Sequence, residues 1–379
     1  MRVVLAAGGS GGHIFPSVAL AEELEKAGAE EIFFVSSKRR LDRNLLSGKR
    51  YRCFFLSANP MPLKFDPLKM IVFLAKLLAD TLTSAYILAR VRPDAVVGFG
   101  GYSSGAIVLC AGMCGIPVLI HEQNFLPGRA NRILSRFADK VAVSFEDSRA
   151  HFTKAARKVV YCGNPLRLDI LGHDRPASAR DLGLSPDKFT VLIMGGSQGS
   201  TFLNRTASEA ARQIWNKKKG DVQFIHLTGR KDHDDIKKFY EENGIEGKVF
   251  AFLERIDKAY ALSDLAVSRA GAAAVFELAY YAKPMILVPY PSVKNNQRHN
   301  AIYFSRKGAA IYEEEKDLSA DRLAREVLDV MTDGNLRERI SGSAGRLSEP
   351  QAARKLANEV IKLVEQRTED REQKTGPDI

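Results

Sequence analysis

At 379 residues the chain is longer than one ordinary domain and comfortable for two, and 45% apolar with 27% charged residues is globular composition that excludes extensive disorder. The net charge of +11 is uneven: residues 1–166 hold 22 Lys/Arg against 13 Asp/Glu, leaving +2 for the rest. The basic half points to polyanionic company such as phosphorylated ligands, anionic lipid or nucleic acid, or else to a merely soluble basic surface. The four cysteines, Cys53, Cys110, Cys114 and Cys162, form no C-x-x-C pair; Cys110 and Cys114 read as buried small residues, which suits a reducing compartment.

Met1 to Ala7 reads as a buried first strand, not a signal peptide. It runs into Gly8-Gly9-Ser10-Gly11-Gly12-His13 and then a helical pattern from Val18 to Ala27. Short β-branched runs follow at Glu31 to Ser36, Ala95 to Gly98, Pro117 to Ile120 and Lys140 to Val143. Between them Pro67 to Val91 is the most apolar long stretch; Lys69, Lys76 and Asp80 interrupt it, so no uninterrupted apolar run reaches about 18 residues and no membrane-spanning helix is expected. Part of it should be a core helix, and its start, around Met61, Leu63, Phe65, Met70, Ile71 and Phe73 with Lys64 and Lys69, is suited to dip into anionic lipid.

A boundary is expected near Gly163-Asn164-Pro165. The opening design then repeats 187 residues on: Thr190 to Met194 leads into Gly195-Gly196-Ser197-Gln198-Gly199-Ser200 and a helical pattern from Leu203 to Ile214. Gln223 to Leu227, Leu265 to Ser268 and Pro284 to Val288 continue the second set of strands. Strand, glycine turn, helix, found twice, predicts an α/β chain of two doubly wound parallel-sheet domains, residues 1–164 and 165–347. A last helix over 348–366, with Ser348 as N-cap, is free to return to the first domain, and 367–379 reads as a disordered tail.

Glycines at strand-to-helix turns let backbone N–H groups approach an anion, so a phosphate or diphosphate ligand is the natural reading, with tight packing as the alternative. The known fingerprints fail: Ile14 occupies the small-residue position of the dinucleotide pattern, and no Gly-Lys-Ser/Thr follows either loop. Further glycine turns stand at Gly98 to Gly105 and Ser268 to Ala274. Asp232-His233-Asp234-Asp235 imitates a D-x-D metal motif but reads better as a solvated helix start.

The runs GGSGGH (8–13), GFGGYSSG (98–105), HEQN (121–124), GNPLR (163–167), GGSQGS (195–200), AGAAAVFE (270–277) and NNQRHNA (295–301) together resemble the MurG family of peptidoglycan N-acetylglucosaminyltransferases, over about residues 3–310. The resemblance implies the GT-B fold, with two Rossmann-like domains facing a cleft, an acceptor and membrane domain first and a UDP-GlcNAc domain second. It implies inverting transfer of N-acetylglucosamine (GlcNAc) from UDP-GlcNAc to the MurNAc 4-hydroxyl of undecaprenyl-pyrophosphoryl-MurNAc-pentapeptide, lipid I to lipid II, with no metal and no cofactor. It also implies a peripheral place on the cytoplasmic face of the inner membrane, a role in cell-wall biogenesis, shape and division, and cell-wall synthesis proteins as partners.

By position, Ser10, Gly11, Gly12, Asn124, Arg167, Ser197, Leu253, Ala272, Glu277 and Gln297 would meet the donor, with Glu277 on the ribose hydroxyls, Gln297 on the sugar and Leu253 on uracil. Gly100, Gly101 and Tyr102 would meet the acceptor pyrophosphate. Ser10 stands where threonine is usual, and Asn296 where a glutamine or histidine is common. His13 is preferred as general base, against a role capping the helix or binding diphosphate; Glu122 is the rival base. A UDP-GlcNAc 2-epimerase shares fold and donor but has no use for the Gly100–Tyr102 loop. A non-catalytic nucleotide-sugar subunit and an RNA-binding protein are weaker alternatives, since both ligand loops are present and no nucleic-acid motif appears.

Overall fold

A computed structural model describes residues 1–59, 66–167, 170, 172, 174–196, 198–291 and 296–374. The chain divides into two compact units, 1–167 with 350–379, and 168–349.

In the first unit seven strands form one sheet in the order β3-β2-β1-β4-β5-β6-β7, every pairing parallel. They are β1 (Arg2–Ala6), β2 (Glu31–Ser37), β3 (Arg52–Leu56), β4 (Ala95–Gly98), β5 (Val118–Glu122), β6 (Lys140–Val143) and β7 (Val159–Tyr161). Helices α1 (Gly11–Lys26), α2 (Arg40–Leu46), α3 (Pro67–Val91), α4 (Tyr102–Met113) and α5 (Arg129–Leu134) make the connections. One face of the sheet packs Val4, Val96 and Ile120 with Ile107 and Ala111 of α4, and the other packs Val3, Leu5 and Val97 with Leu20 and Leu24 of α1. Both faces are covered, which is why these strands read as continuous apolar runs.

In the second unit α6 (Arg175–Leu182) precedes six parallel strands in the order β10-β9-β8-β11-β12-β13. These are β8 (Phe189–Met194), β9 (Val222–Leu227), β10 (Gly247–Phe250), β11 (Leu265–Ser268), β12 (Met285–Leu287) and β13 (Ile311–Tyr312). The helices are α7 (Thr201–Lys218), α8 (His233–Glu242), α9 (Ile256–Leu262), α10 (Ala272–Tyr280), α11 (Gln297–Arg306), α12 (Ala320–Thr332) and α13 (Gly334–Leu347). A last helix, α14 (Ala352–Lys374), belongs to the first unit, where Leu356, Ala357, Val360 and Leu363 enter the core beside α1.

Four expectations need correction. Ser348 is the C-cap of α13 and not an N-cap, because α14 begins only at Ala352. The helix also continues past Gln366 to Lys374, so residues 367–374 are helical and not a disordered tail. Cys114 is exposed: it is the C-cap residue at the end of α4, where the chain turns outward at Gly115. Finally, α3 is one 25-residue helix that is long and apolar enough to cross a membrane by length and composition. Its last turns are core, with Ile87, Leu88 and Val91 buried, and buried Asp80 accepts the backbone N–H groups of Ser57 and Ala58 at 2.8 and 2.9 Å. The rest is exposed, including Leu68, Ile71, Leu74, Leu78, Leu82 and Tyr86; Met70 and Phe73 are half-buried, and Met61, Leu63, Lys64 and Phe65 lie outside the described residues.

Candidate functional site

In each sheet the chain runs outward from the first strand, returns, and lays the next strand on the first one's other side. That makes a switch point between β1 and β4 and another between β8 and β11, and open parallel sheets take ligands beyond the carboxyl ends of such strand pairs. All four glycine turns sit there, after β1, β4, β8 and β11.

In the first unit the two turns touch. Gly101 has φ of +76°, and a Cβ on it would fall 2.7 Å from the Gly8 carbonyl oxygen and 3.4 Å from His13 Nδ1. Only glycine meets both conditions. His13, in the first turn of α1, donates from Nδ1 to the Gly8 carbonyl at 2.9 Å, with Ser10 Oγ at 3.4 Å. With the proton held on Nδ1, Nε2 of the neutral ring carries the lone pair, the form a general base requires. Gly9 N–H in turn donates to both oxygens of Asp42, at 2.8 and 3.0 Å. Asp42, from the first turn of α2, is fully buried and also accepts Ser37 Oγ at 2.5 Å. Gly11 and Gly12 open α1, and a Cβ on Gly11 would fall 2.8 Å from the Phe15 ring. Tyr102, the first residue of α4, is exposed.

Glu122, 2% exposed at the end of β5, is occupied otherwise. Its carboxylate accepts from the Asn124 backbone at 3.0 Å, Asn124 Nδ2 at 3.2 Å, the Gly128 backbone at 3.0 Å and Asn131 Nδ2 at 2.9 Å. Both oxygens are thus committed to holding the 122–131 loop, which sets Glu122 apart from His13. Complete burial pushes His121 down to about 4, so its ring is neutral; it bonds the Gly163 carbonyl from Nε2, and its Nδ1 lies 3.1 Å from Gln123 Nε2. Arg167 stacks its guanidinium 4.1 Å from the centroid of Phe15.

In the second unit, buried Arg269 joins the turns. It donates to Ser200 Oγ at 2.5 Å and to the Val288 and Pro289 carbonyls at 3.0 and 3.1 Å, and pairs with Glu315 at 2.5 Å. Gly199 has φ of +76° and sits against the Thr228 carbonyl, where no side chain fits. Ala272 opens α10, and Glu277, one turn on and 7% exposed, accepts the Tyr260 hydroxyl at 2.7 Å. Gln297 opens α11, and its Oε1 accepts the Tyr290 N–H at 3.0 Å; Asn300 donates to the Ala270 carbonyl at 3.1 Å. Leu253 is half-buried beside exposed Phe252, and Ser197 lies outside the described residues. Asp232 accepts from Thr201 and Asn204 ahead of α8 while Asp234 is solvated, so this acidic run is a helix start. Asp42, Asn131, Tyr260 and Arg269 escape sequence reading: each lies outside the glycine turns or carries no spacing that marks it.

The family models agree with this two-part layout. The glycosyltransferase family 28 N-terminal domain matches residues 3–143, and the family 28 C-terminal domain matches residues 190–360. The UDP-N-acetylglucosamine--N-acetylmuramyl-(pentapeptide) pyrophosphoryl-undecaprenol N-acetylglucosamine transferase of Desulfotalea psychrophila is 39% identical over 94% of this chain and 95% of its own length. The chain belongs to glycosyltransferase family 28, as one of the MurG transferases. Within that family, the crystal structure of Acinetobacter baumannii MurG superposes with a TM-score of 0.75 at 26% identity, covering 95% of this chain and 99% of that one. UDP-GlcNAc 2-epimerase from Neisseria meningitidis, bound to UDP-GlcNAc, shares the fold at 13% identity, with a TM-score of 0.69 and coverage of 96% and 100%. The fold of this family 28 member is therefore GT-B, two Rossmann-like parallel sheets.

Proposed function

We infer that the chain transfers GlcNAc from UDP-GlcNAc to the 4-hydroxyl of the MurNAc unit of undecaprenyl-pyrophosphoryl-MurNAc-pentapeptide, with inversion at C1. Membership of the family supports the reaction, and the His13 tautomer supports the mechanism. The acceptor hydroxyl gives its proton to His13 Nε2 as its oxygen bonds to C1. The C1–O bond to the diphosphate breaks, and the electron pair leaves on the UDP β-phosphate. The N-terminus of α10, opened by Ala272, stabilises that growing negative charge with unpaired N–H groups. Glu277 accepts the ribose hydroxyls, its Oε2 fixed by Tyr260, while Gln297 reads the sugar and Leu253 the base.

Ser10, Gly11, Gly12, Asn124, Arg167 and Ser197 complete the donor contacts, and Gly100, Gly101 and Tyr102 take the acceptor diphosphate. Glu122 acts by holding the 122–131 loop and not as the base. The first unit takes the acceptor and docks on an anionic membrane surface, the cytoplasmic face in the lipid-linked pathway. Exposed Leu68, Ile71, Leu74, Leu78 and Leu82 of α3 enter the lipid boundary, and Lys69 and Lys76 face the headgroups. Radiolabelled UDP-GlcNAc and a short-chain acceptor analogue test the reading: purified chain produces a labelled disaccharide lipid, and its failure to do so refutes transferase activity by this chain alone.

A further inference from the structure

A second basic feature lies away from the glycine turns. A cavity of about 430 Å³ opens between α5 and the chain at 151–154, lined by Arg129, Arg132, Arg136, His151, Thr153 and Lys154 among others. Its size falls in the range of small-molecule sites, roughly 300–1,000 Å³. No carboxylate lines it, and among the described residues Arg129, Arg132, Arg136 and Lys154 make no ion pair. Arg129, Arg132 and Arg136 recur at the spacing of one helical face, running from α5 into the turn after it. Like charges at such spacing repel, so an unneutralised row costs stability unless an anion lies against it.

The same helix has two jobs on two sides. Buried Asn131 faces the catalytic turns: it donates to Glu122 at 2.9 Å, and its amide would lie 3.2 Å from a Cβ on Gly100. The exposed arginines face the cavity. A group bound there is therefore separate from the diphosphates at the switch points, and rests on the helix that carries their supporting loop. Planar guanidinium forks match phosphate oxygens two at a time. Four permanent cations exceed what a singly charged diester neutralises. Exposed Ile133, on the same helix, also lines the cavity, and exposed Phe137 and Met113 lie where Gly112 of α4 meets Phe137.

We propose that the cavity between α5 and residues 151–154 binds a phosphate group carrying at least two negative charges, a phosphate monoester or a diphosphate. Two sources offer this chemistry, a free diphosphate and the headgroup of a monoester lipid such as phosphatidate. The proposal stands apart from the transfer reaction and does not depend on it.

The test uses the full chain with Arg132→Gln/Arg136→Gln and with Arg132→Lys/Arg136→Lys. Calorimetric titration with inorganic diphosphate is one arm. Flotation with phosphatidylcholine vesicles containing phosphatidate, or phosphatidylserine at matched charge, is the other. Each lost charge-assisted contact weakens binding by about tenfold or more. The glutamine pair is therefore expected about a hundredfold weaker, with the lysine pair between it and wild type. The lysine pair should melt like wild type and the glutamine pair no lower, since it loses like-charge repulsion, and both should transfer GlcNAc to a short-chain acceptor at the wild-type rate. Saturable diphosphate binding lost in the glutamine pair supports the free-phosphate source. A phosphatidate preference lost in that pair, without diphosphate binding, supports the headgroup. Equal binding by wild type and the glutamine pair in both arms overturns the site, as does wild type that neither binds diphosphate saturably nor prefers phosphatidate.

Discussion

Asp42→Ala isolates the support beneath the first glycine turn. The carboxylate is fully buried and accepts the Gly9 N–H at 2.8 Å and Ser37 Oγ at 2.5 Å, with Ser36 Oγ more distant at 3.4 Å. Hydrogen bonds to a charged partner contribute about 1.5–3 kcal/mol each, so the two short ones set a loss of about 3–6 kcal/mol. Water entering the vacated space recovers part of that, and about 3 kcal/mol is the expected loss. At roughly 2–4 °C per kcal/mol for a unit of this size, the melting transition falls by about 6–12 °C. Asp42→Asn keeps one acceptor oxygen and should lose about half as much. Because Gly8 and Gly9 also fix the His13 ring through the Gly8 carbonyl, kcat falls as well. The assays are calorimetry of the full chain and transfer to a short-chain acceptor, measured below both melting points. An Asp42→Ala chain with wild-type melting and wild-type kcat refutes the reasoning.

Replacing His13 by alanine should lower kcat about 10²- to 10⁴-fold, the contribution of a positioned base, with little change in melting. Glu122→Gln should instead destabilise the chain more than it slows transfer, since four donors share that carboxylate; near-normal turnover in His13→Ala with none in Glu122→Ala reverses the two roles. Transfer should persist in excess chelator under the proposal that helix α10 supplies the charge stabilisation; a strict Mg²⁺ requirement of the chemical step contradicts this. Leu78→Ser/Leu82→Ser should weaken flotation with anionic vesicles thirtyfold or more, from about 2–4 kcal/mol of lost apolar burial, while leaving soluble-acceptor transfer intact. Burial lowers Lys283 to about 8, so between pH 8 and its ordinary value near 10.5 the unfolded chain binds the extra proton. Its contribution to stability therefore rises with pH in that window, by up to about 1.4 kcal/mol per unit, and a Lys283→Met chain should lack the rise in denaturant titrations.

The parallel strands at the centre of each sheet were legible because burial on both faces demands unbroken apolar runs, as in Val96-Val97 or Ala266-Val267. The sheet edges were not. β10 (Gly247–Phe250) and β13 (Ile311–Tyr312) are short, only partly buried, and resemble loop in composition. The glycine turns announced themselves because positive φ and close approach, as at Gly101 and Gly199, leave no other residue type. Their supports did not. Asp42 is 33 residues from Gly9, and Arg269 is 69 from Ser200, and no local pattern encodes a partner so distant in sequence. Glu122 shows the converse: its place beside a ligand loop made it the rival base to His13, and the four donors that hold its carboxylate are visible only in the structure.

The most direct measurement is the stereochemistry and His13 dependence of transfer by the purified chain, followed by NMR of the sugar attached to a short-chain acceptor. The account predicts a β-linked GlcNAc formed from the α-linked donor in the presence of chelator, with turnover collapsing in His13→Ala and not in Glu122→Gln. An α-linked product, or full turnover without the His13 imidazole, contradicts it.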